Sequence, residues 1–246
     1  MSATYIAENL ARVQERIAEA ALRSGRDPAS VTLVAVCKNF ATEMVVSAYE
    51  AGARHFGENR VEEGQSKIPA VAALLAGPRP TWHMVGHVQS RKAQDVAATF
   101  DYVHSVDSLR LAQRLSRFAV AARRVLPVLL ECNVSGEESK FGFHLDDWDS
   151  DSPQREGFLV TVAEMLALTG LVVEGLMTMA PLVGHPEAVR PVFSGLRGLL
   201  HALQARCPAG AWRHLSMGMT DDFEVAVEEG ATMVRVGRAI FGVRPT

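Results

Sequence analysis

Apolar runs typical of buried strands alternate with runs of helical periodicity along nearly the whole chain. The strand-like runs cover residues 31–37, 54–58, 82–88, 102–106, 127–134, 172–179, 213–217 and 233–241, and helical runs lie between them near residues 42–51, 60–75, 90–98, 108–124, 154–168, 186–206 and 222–229. Strict alternation of strands and helices predicts a parallel sheet, and eight strands favour its closure into a single (β/α)8 barrel of the TIM type. A doubly wound open sheet is the second possibility.

Two segments fall outside this alternation. Residues 4–24 precede the first strand, and their apolar positions recur at helical spacing. These positions are Ile6, Leu10, Val13 and Ile17. We therefore predict an extra N-terminal helix that ends at Gly25. Residues 144–153 are acidic and polar, which predicts a mobile loop, and their aspartates lack the ligand spacing of a calcium-binding loop.

Length and composition indicate one ordinary globular domain. The chain has 246 residues, of which 48% are hydrophobic and 22% charged, and a (β/α)8 barrel needs about 250 residues. We therefore assign residues 1–246 to a single domain. The formal net charge of −3 gives no reason to expect nucleic acid or an anionic membrane as a partner.

The three cysteines are widely spaced. Cys37, Cys132 and Cys207 form neither a zinc-binding spacing nor a disulfide framework, which fits a reducing cytosol. No apolar stretch reaches the roughly 20 residues of a membrane helix, and the N-terminus lacks the basic and apolar regions of a secretory signal. We expect a cytoplasmic protein without a membrane span.

Lys38 directly follows the first strand-like run. Such a run is typical of a strand buried on both faces, and parallel barrels carry their chemistry at the carboxyl ends of the strands. A lysine amine withdrawn from water there gives up its proton more readily, so its neutral form can attack a carbonyl group. The alternative is a lysine whose stem packs on the sheet while its ammonium group reaches solvent.

Arg235 lies in the last strand-like run, where side chains alternate between the two faces of a strand. Val234 and Val236 then face the surrounding helices, whereas Arg235 and Gly237 face the barrel interior. A guanidinium group keeps its proton, so an interior Arg235 needs an acceptor or a bound anion beside it. A structural pairing with an interior carboxylate such as Glu131 is one way to meet this need.

Glycine and hydroxyl residues follow the seventh and eighth strand-like runs. Ser216 and Gly218 lie at the end of the seventh run, and Gly237 and Arg238 lie near the end of the eighth strand. In (β/α)8 barrels the loops after these two strands commonly bind phosphate through backbone amides. We therefore predict a phosphate site on these two turns, away from the carboxylates at positions 221–222, which would repel an anion.

A lysine amine, an interior arginine and a phosphate site together fit one cofactor. Pyridoxal 5′-phosphate (PLP) carries an aldehyde that condenses with an amine and a phosphate that suits an anion site. We therefore expect PLP as the cofactor, with Lys38 as its covalent attachment point.

Seven segments spread along the chain match the motifs of a known family. They are Val34-Ala-Val-Cys-Lys38, His55-Phe-Gly-Glu-Asn59, Trp82-His-Met-Val-Gly-His-Val-Gln-Ser90, Asn133-Val-Ser-Gly-Glu-Glu-Ser-Lys140, Gly175-Leu-Met-Thr-Met-Ala-Pro181, Leu215-Ser-Met-Gly-Met219 and Gly230-Ala-Thr-Met-Val-Arg-Val-Gly237. Each segment alone is a weak signal, but their joint order is very specific. Over nearly its whole length, the chain resembles the pyridoxal phosphate homeostasis proteins.

This resemblance implies a fold similar to the barrel domain of alanine racemase. It implies that Lys38 forms the internal aldimine, that Arg235 faces the pyridine nitrogen, and that Asn59 lies near the cofactor ring; Asn59 as a helix cap is the alternative. The residues that it implies for the phosphate are Ser216, Gly218, Gly237 and Arg238. The chain departs from the family pattern at Arg238, where a small hydroxyl residue is usual, and at Phe141, which replaces a common serine.

For function, the resemblance implies a non-catalytic carrier that holds PLP reversibly and delivers it to PLP-dependent apo-enzymes. Racemase-like enzymes carry a second β-rich domain that supplies a further acid–base group, and we expect this chain to lack that domain and to be a monomer. A fixed cation at the pyridine nitrogen also disfavours the ring protonation that helps to stabilise a carbanion.

Two other functions stay open from the sequence. The first is a weak amino-acid racemase in which His87 or Lys140 donates the proton. The second is a metal-dependent hydrolase, because His83 and His87 fall on one face of the third strand-like run. A metal-binding barrel needs further ligands at other strand ends, and the sequence does not offer a convincing set, so we predict no metal site.

Overall fold

The computed structural model describes residues 2–243. Its strands are β1 (Thr32–Val36), β2 (His55–Glu58), β3 (Thr81–Met84), β4 (Tyr102–Val106), β5 (Leu126–Asn133), β6 (Phe143–His144), β7 (Leu171–Met177), β8 (His214–Ser216) and β9 (Met233–Val236). All except the short β6 form one closed ring in the order β1-β2-β3-β4-β5-β7-β8-β9, with β9 returning to β1 and every pair parallel. The predicted (β/α)8 barrel is confirmed, and the open sheet is wrong.

Helices surround this ring. They are α1 (Ala3–Arg23), α2 (Thr42–Glu50), α3 (Val61–Leu74), α4 (Ala93–Thr99), α5 (Leu109–Ala121), α6 (Ser152–Leu166), α7 (Arg190–Arg206), α8 (Phe223–Glu228) and α9 (Arg238–Phe241). None of the helices within residues 2–243 is both long enough and apolar enough to cross a membrane.

The predicted N-terminal helix is α1, and it packs against α2, α8 and α9. Ser2 caps it, because the Ser2 side chain accepts a hydrogen bond from the amide of Tyr5. Its apolar face is buried, as the helical spacing predicts. Asn9 Nδ2 donates a 3.0 Å hydrogen bond to the carbonyl oxygen of Ile240, so α1 is tied directly to the chain after β9.

Apolar side chains fill two regions of the barrel. The larger core lies between the strands and the helices, which explains why the strands read as continuous apolar runs. A smaller cluster fills part of the barrel interior and consists of Tyr102, Leu129, Met177 and Met233. Other interior positions carry polar groups, including His104 and Arg235, so the interior is only partly apolar.

Two strands end several residues earlier than predicted. β3 ends at Met84 rather than at residue 88, and Gly86 follows it in a bend. A Cβ atom at Gly86 would lie 2.3 Å from the carbonyl oxygen of Asn59, so only glycine allows the two loops to approach. β9 ends at Val236 rather than at residue 241, because Ile240 and Phe241 donate amide hydrogen bonds of 2.9 and 3.0 Å to Gly237 O and form α9.

The loop between β6 and α6 has fewer residues than the acidic segment 144–153 that was predicted to be a loop. β6 ends at His144 and α6 begins at Ser152. Asp151 is the helix cap, because its side chain accepts a hydrogen bond from the amide of Gln154. At least one of the predicted loop's aspartates therefore has a structural role in starting α6.

Candidate functional site

A cavity of about 460 Å³ lies at the carboxyl ends of the strands, and we name it the Lys38 cavity. Five of the seven predicted site residues line it, namely Lys38, Asn59, Arg235, Gly237 and Arg238. Much of the remaining wall is apolar and includes Val36, Phe40, Val85, Met179 and Leu182. The fold therefore brings the predicted amine and the predicted guanidinium group to one concave site, where parallel barrels carry their chemistry.

Lys38 is positioned by the turn that follows β1. Asn39 adopts the left-handed backbone conformation, with a φ of 62°, and the Phe40 ring is buried. Lys67 Nζ donates a 2.7 Å hydrogen bond to the carbonyl oxygen of Cys37. The backbone on both sides of Lys38 is thus fixed, and the half-buried Lys38 side chain lines the cavity.

A buried charge cluster supports this turn. Besides Cys37 O, the Lys67 ammonium group donates hydrogen bonds of 2.7 Å to Glu58 Oε1 and to Glu63 Oε1. Burial raises the pKa of Glu58, although Lys67 stabilises its charged form. Burial also raises the pKa of the Cys37 thiol, which donates to Glu58 Oε1 at 3.1 Å. Cys37 therefore behaves as a small buried residue rather than as a nucleophile.

Arg235 extends from β9 into the barrel interior and is only 4% exposed. Its Nη1 atom donates a 2.7 Å hydrogen bond to Ser216 Oγ, and its Nη2 atom donates a 2.8 Å hydrogen bond to the carbonyl oxygen of Thr178. Burial lowers the pKa of Arg235 to about 10, so the guanidinium group is still positively charged at neutral pH. The cavity thus has a fixed cation in its wall.

Glu131, the carboxylate considered as a partner for Arg235, makes no hydrogen bond to it within residues 2–243. Its Oε2 atom is buried without a partner in that range. Burial, followed by the charge of Asp107, raises the pKa of Glu131 to about 7. Arg235 is therefore held by a hydroxyl and a carbonyl oxygen, and it interacts with Glu131 only through space.

Ser216 and Gly218 lie behind Arg235 rather than in the cavity wall. The Ser216 side chain is completely buried, and the carbonyl oxygen of Gly218 accepts a 3.0 Å hydrogen bond from the Arg235 amide. Gly218 has a φ of 92°, and a Cβ atom there would lie 2.6 Å from Ala226 Cβ. The assignment of both residues to the phosphate stays a prediction.

Backbone amides offer an anion site at the same end of the barrel. The amides of Thr220, Asp221, Arg238 and Ala239 pair with no acceptor in the part of the chain that the structure describes. All of these residues except Ala239 line the Lys38 cavity. Unpaired donors of this kind need an acceptor from solvent or from a ligand.

The carboxylates expected to repel an anion are engaged in other contacts. Asp221 forms an ion pair with Arg238 at the exposed rim of the cavity. Asp222 accepts a 2.6 Å hydrogen bond from the Met219 amide and so closes the turn that carries Thr220. Arg238 thus brings a positive charge to this rim that offsets the charge of Asp221.

Known proteins are similar to this chain over nearly its whole length. A family model described as alanine racemase, N-terminal domain, matches residues 6–245. The pyridoxal phosphate homeostasis protein of Pseudomonas aeruginosa is 42% identical over 240 residues, which cover 97% of this chain and 96% of that protein. The chain belongs to the pyridoxal phosphate homeostasis protein family. The resemblance found in the sequence motifs is thereby confirmed.

Solved structures extend the similarity to three dimensions. PipY of Synechococcus elongatus, in a structure with PLP bound, matches this family member with a TM-score of 0.79 and 36% identity, over 96% of this chain and 100% of that chain. Alanine racemase of Clostridium difficile matches with a TM-score of 0.70 and 16% identity, over 97% of this chain and 60% of that chain. The second match shows the shared barrel fold.

The residues considered as racemase acids lie outside the Lys38 cavity of this family member. His87 Nδ1 lies 3.0 Å from Asp107 Oδ2, and the His87 ring stacks on Phe141 with 3.9 Å between ring centroids. His87 and Lys140 line a separate cavity of about 390 Å³. Neither side chain is among the residues that line the Lys38 cavity.

The metal-site alternative also finds no support in the geometry. β3 ends before His87, so His83 and His87 do not share a strand face. His83 instead contacts the rings of His55 and His104. Within residues 2–243, no group of three or more histidine, cysteine, aspartate or glutamate side chains is arranged to hold a metal ion.

Sequence reasoning missed several contributors to the Lys38 cavity. Met179 lines the cavity wall, as do Val85 and Thr220. Their positions follow from turns after strand ends, for which alternation along a strand gives no guidance. Gly86 was a usable signal, because a glycine directly after a buried strand often marks a close backbone approach.

Proposed function

We propose that this chain binds PLP in the Lys38 cavity, holds it through a reversible Schiff base with Lys38, and serves PLP homeostasis without catalytic turnover. The observation that carries this proposal is that Lys38 and Arg235 line the same cavity. Condensation of the Lys38 amine with the aldehyde releases water, and hydrolysis of the resulting imine returns free PLP. A carrier needs this reversibility.

The residues present fit the cofactor at three points. Lys38 supplies the amine, Arg235 supplies a cation for the ring nitrogen, and the unpaired amides around Thr220 and Arg238 suit the phosphate. Glycine at position 237 lets the backbone after β9 approach the backbone of β1, because a Cβ atom there would lie 3.0 Å from the carbonyl oxygen of Val36. The structure of PipY with PLP bound, in a protein 36% identical to this one, supports the same choice of cofactor.

The absence of turnover rests on electrostatics. Arg235 keeps its positive charge, and a cation facing the pyridine nitrogen disfavours protonation of the ring, which weakens the ring as an electron sink. The proton donors considered for a racemase line a different cavity. We also propose that residues 1–246 act as one PLP-binding domain, as a monomer that transfers the cofactor to PLP-dependent apo-enzymes.

Absorption spectroscopy tests the covalent bond. The protein with added PLP should show a Schiff-base band that Lys38→Ala abolishes. Lys92→Ala is the matched control, because Lys92 pairs with Glu62 on the surface, and it should keep the band. Identical spectra of wild type and Lys38→Ala with PLP would disprove attachment at Lys38.

Deuterium exchange separates the carrier from the racemase. The PLP-loaded protein, incubated with L-alanine in heavy water, should leave the α-hydrogen in place over hours. Incorporation of deuterium at a rate proportional to protein concentration would show catalytic turnover and overturn the carrier function.

A further inference from the structure

A continuous row of hydrogen-bonded side chains crosses the barrel interior and ends at Arg235. Ser216 Oγ lies 2.8 Å from His104 Nδ1, His104 Nε2 lies 2.8 Å from His83 Nδ1, and His83 Nε2 lies 3.0 Å from His55 Nδ1. We name these four residues the histidine chain. Arg235 donates to its first member, Ser216, at 2.7 Å.

The histidine chain connects the two ends of the barrel. His55 opens β2 and lines a cavity of about 420 Å³ together with residues at the start of β1, whereas Arg235 lines the Lys38 cavity at the carboxyl ends of the strands. His83, His104 and Ser216 are each at most 1% exposed. Solvent therefore reaches this row of side chains only through His55.

Arg235 determines the direction of every hydrogen bond in the row. A guanidinium group only donates, so Ser216 Oγ accepts from Arg235. The hydroxyl hydrogen of Ser216 then points to His104 Nδ1, because this buried hydrogen has no other acceptor within residues 2–243. His104 then carries its hydrogen on Nε2 and donates to His83 Nδ1, and His83 likewise donates to His55 Nδ1.

The same pattern requires neutral imidazole rings. A protonated ring carries hydrogen on both nitrogen atoms and would place two donors against each other within the row. Burial lowers the pKa of His83 to about 3, and burial together with the neighbouring His83 and Arg235 lowers the pKa of His104. The other groups that act on these two rings are His55 and His214, and they also disfavour protonation.

We propose that the histidine chain is a positioning device that holds the Arg235 guanidinium group in place for the cofactor ring. This inference rests on the proposed function of the Lys38 cavity. An arginine side chain has many rotamers, and ordering it on binding would reduce affinity. A Ser216 hydroxyl group that is itself fixed by His104 presents its lone pair to Arg235 before the cofactor arrives.

Nitrogen NMR of the cofactor-free protein tests the chain directly. With ¹⁵N-labelled histidine, His55, His83 and His104 should all show the neutral form with hydrogen on Nε2 at pH 7, and His83 and His104 should keep that form at pH 5. A ring of His83 or His104 with hydrogen on Nδ1, or protonated at pH 5, would overturn the proposal. This measurement needs no PLP, so its outcome is independent of the proposed function.

Variants test the consequence for binding. His104→Leu removes the acceptor for the Ser216 hydroxyl group and should raise the dissociation constant for PLP about tenfold and shift the absorption maximum, as expected for a disturbed hydrogen bond to a charged group. His104→Asn keeps an acceptor oxygen near the Nδ1 position and should restore most of the affinity. His201→Leu is the control, because His201 is an exposed residue of α7.

The outcomes separate the two proposals. If wild type forms the Schiff-base band and His104→Leu matches it in affinity and spectrum, the positioning role is wrong while the proposed function stands. If wild type itself forms no band, the proposed function fails. If His104→Leu does not fold, the tautomers measured in the wild-type protein decide the question.

Discussion

Arg235 brings a positive charge into the barrel interior, where an unpaired ion would cost several kcal/mol. Hydrogen bonds to Ser216 Oγ and Thr178 O offset this cost, while the buried Oε2 atom of Glu131 has no partner in residues 2–243. Alternation along the strand was enough to predict that Arg235 points inward. It could not predict the partner, because two interior side chains meet only if their strands bring them to the same depth.

Glu131→Gln should stabilise the protein at pH 8. Burial raises the pKa of Glu131 to about 7 from an ordinary value of 4.5, so the folded state keeps a proton that the unfolded state releases between these values. The contribution of Glu131 to the free energy of unfolding is therefore complete below about pH 4.5, and it falls by roughly 3 kcal/mol as the pH rises through 7. The glutamine side chain does not titrate, so the variant does not lose this free energy.

Urea unfolding at pH 4.5 and pH 8 measures the effect. We expect Glu131→Gln to gain about 2–3 kcal/mol more at pH 8 than at pH 4.5. Glu138→Gln, which changes an exposed carboxyl group, provides the control for the substitution itself. An equal gain at both pH values for Glu131→Gln would contradict the raised pKa of its carboxyl group.

The turns after β8 and β9 show what can be learned about an element from its residues. Gly218 and Gly237 mark the two turns in the sequence. In the structure a Cβ atom at either position would lie within 3.0 Å of a neighbouring atom. The sequence does not reveal which group each turn presents, and the structure has Thr220 in the cavity wall and Ser216 behind it. The direction of a turn depends on its dihedral angles, which glycine leaves open.

The sequence could not predict the histidine chain, and the reason is similar. His55, His83 and His104 belong to β2, β3 and β4 and share the interior face. The predicted strand over residues 82–88 instead suggested a pairing of His83 with His87. The stagger between neighbouring strands decides which interior rings touch, and no local pattern encodes that stagger.

Gly218→Ala should destabilise the barrel by about 2–5 kcal/mol. The left-handed backbone with a φ of 92° disfavours any side chain, and the added Cβ would meet Ala226 Cβ at 2.6 Å and Phe223 Cα at 2.9 Å. Gly25→Ala is the matched control, because Gly25 has a φ of 70° but no neighbour within 4 Å, and it should cost only about 1–2 kcal/mol.

Equilibrium unfolding in urea gives both values on one scale. Equal costs for the two variants would mean that the packing of the β8–α8 turn against α8 does not contribute. A larger cost for Gly25→Ala would contradict the role assigned to this turn.

The whole barrel was accessible from sequence because each β/α unit repeats the same pattern. Eight apolar runs joined by helical runs leave few ways to bury both faces of every strand, and closure is the one observed here. The additional helix α1 packs against α2, which follows β1, and against α8 and α9, which flank β9, with Arg16 donating two hydrogen bonds to Glu224 of α8. The N-terminal helix thus connects helices next to the first and the last strand of the ring.

PLP should stabilise the whole molecule. A ligand that binds only the folded state at 100 times its dissociation constant adds about 2.7 kcal/mol, which corresponds to a rise in Tm of roughly 5–10 °C for a protein of this size. Differential scanning fluorimetry should show this rise for wild type and for Lys92→Ala, and a much smaller one for Lys38→Ala. An equal rise in Lys38→Ala would mean that the covalent bond adds nothing to binding.

Borohydride reduction followed by peptide mapping tests the central claim most directly. The chain contains four lysines, Lys38, Lys67, Lys92 and Lys140, and reduction fixes PLP to whichever amine forms the Schiff base. Our account predicts the cofactor mass on the peptide that contains Lys38 and on no other lysine peptide at one equivalent of PLP. Modification of another lysine with an unmodified Lys38 would contradict it.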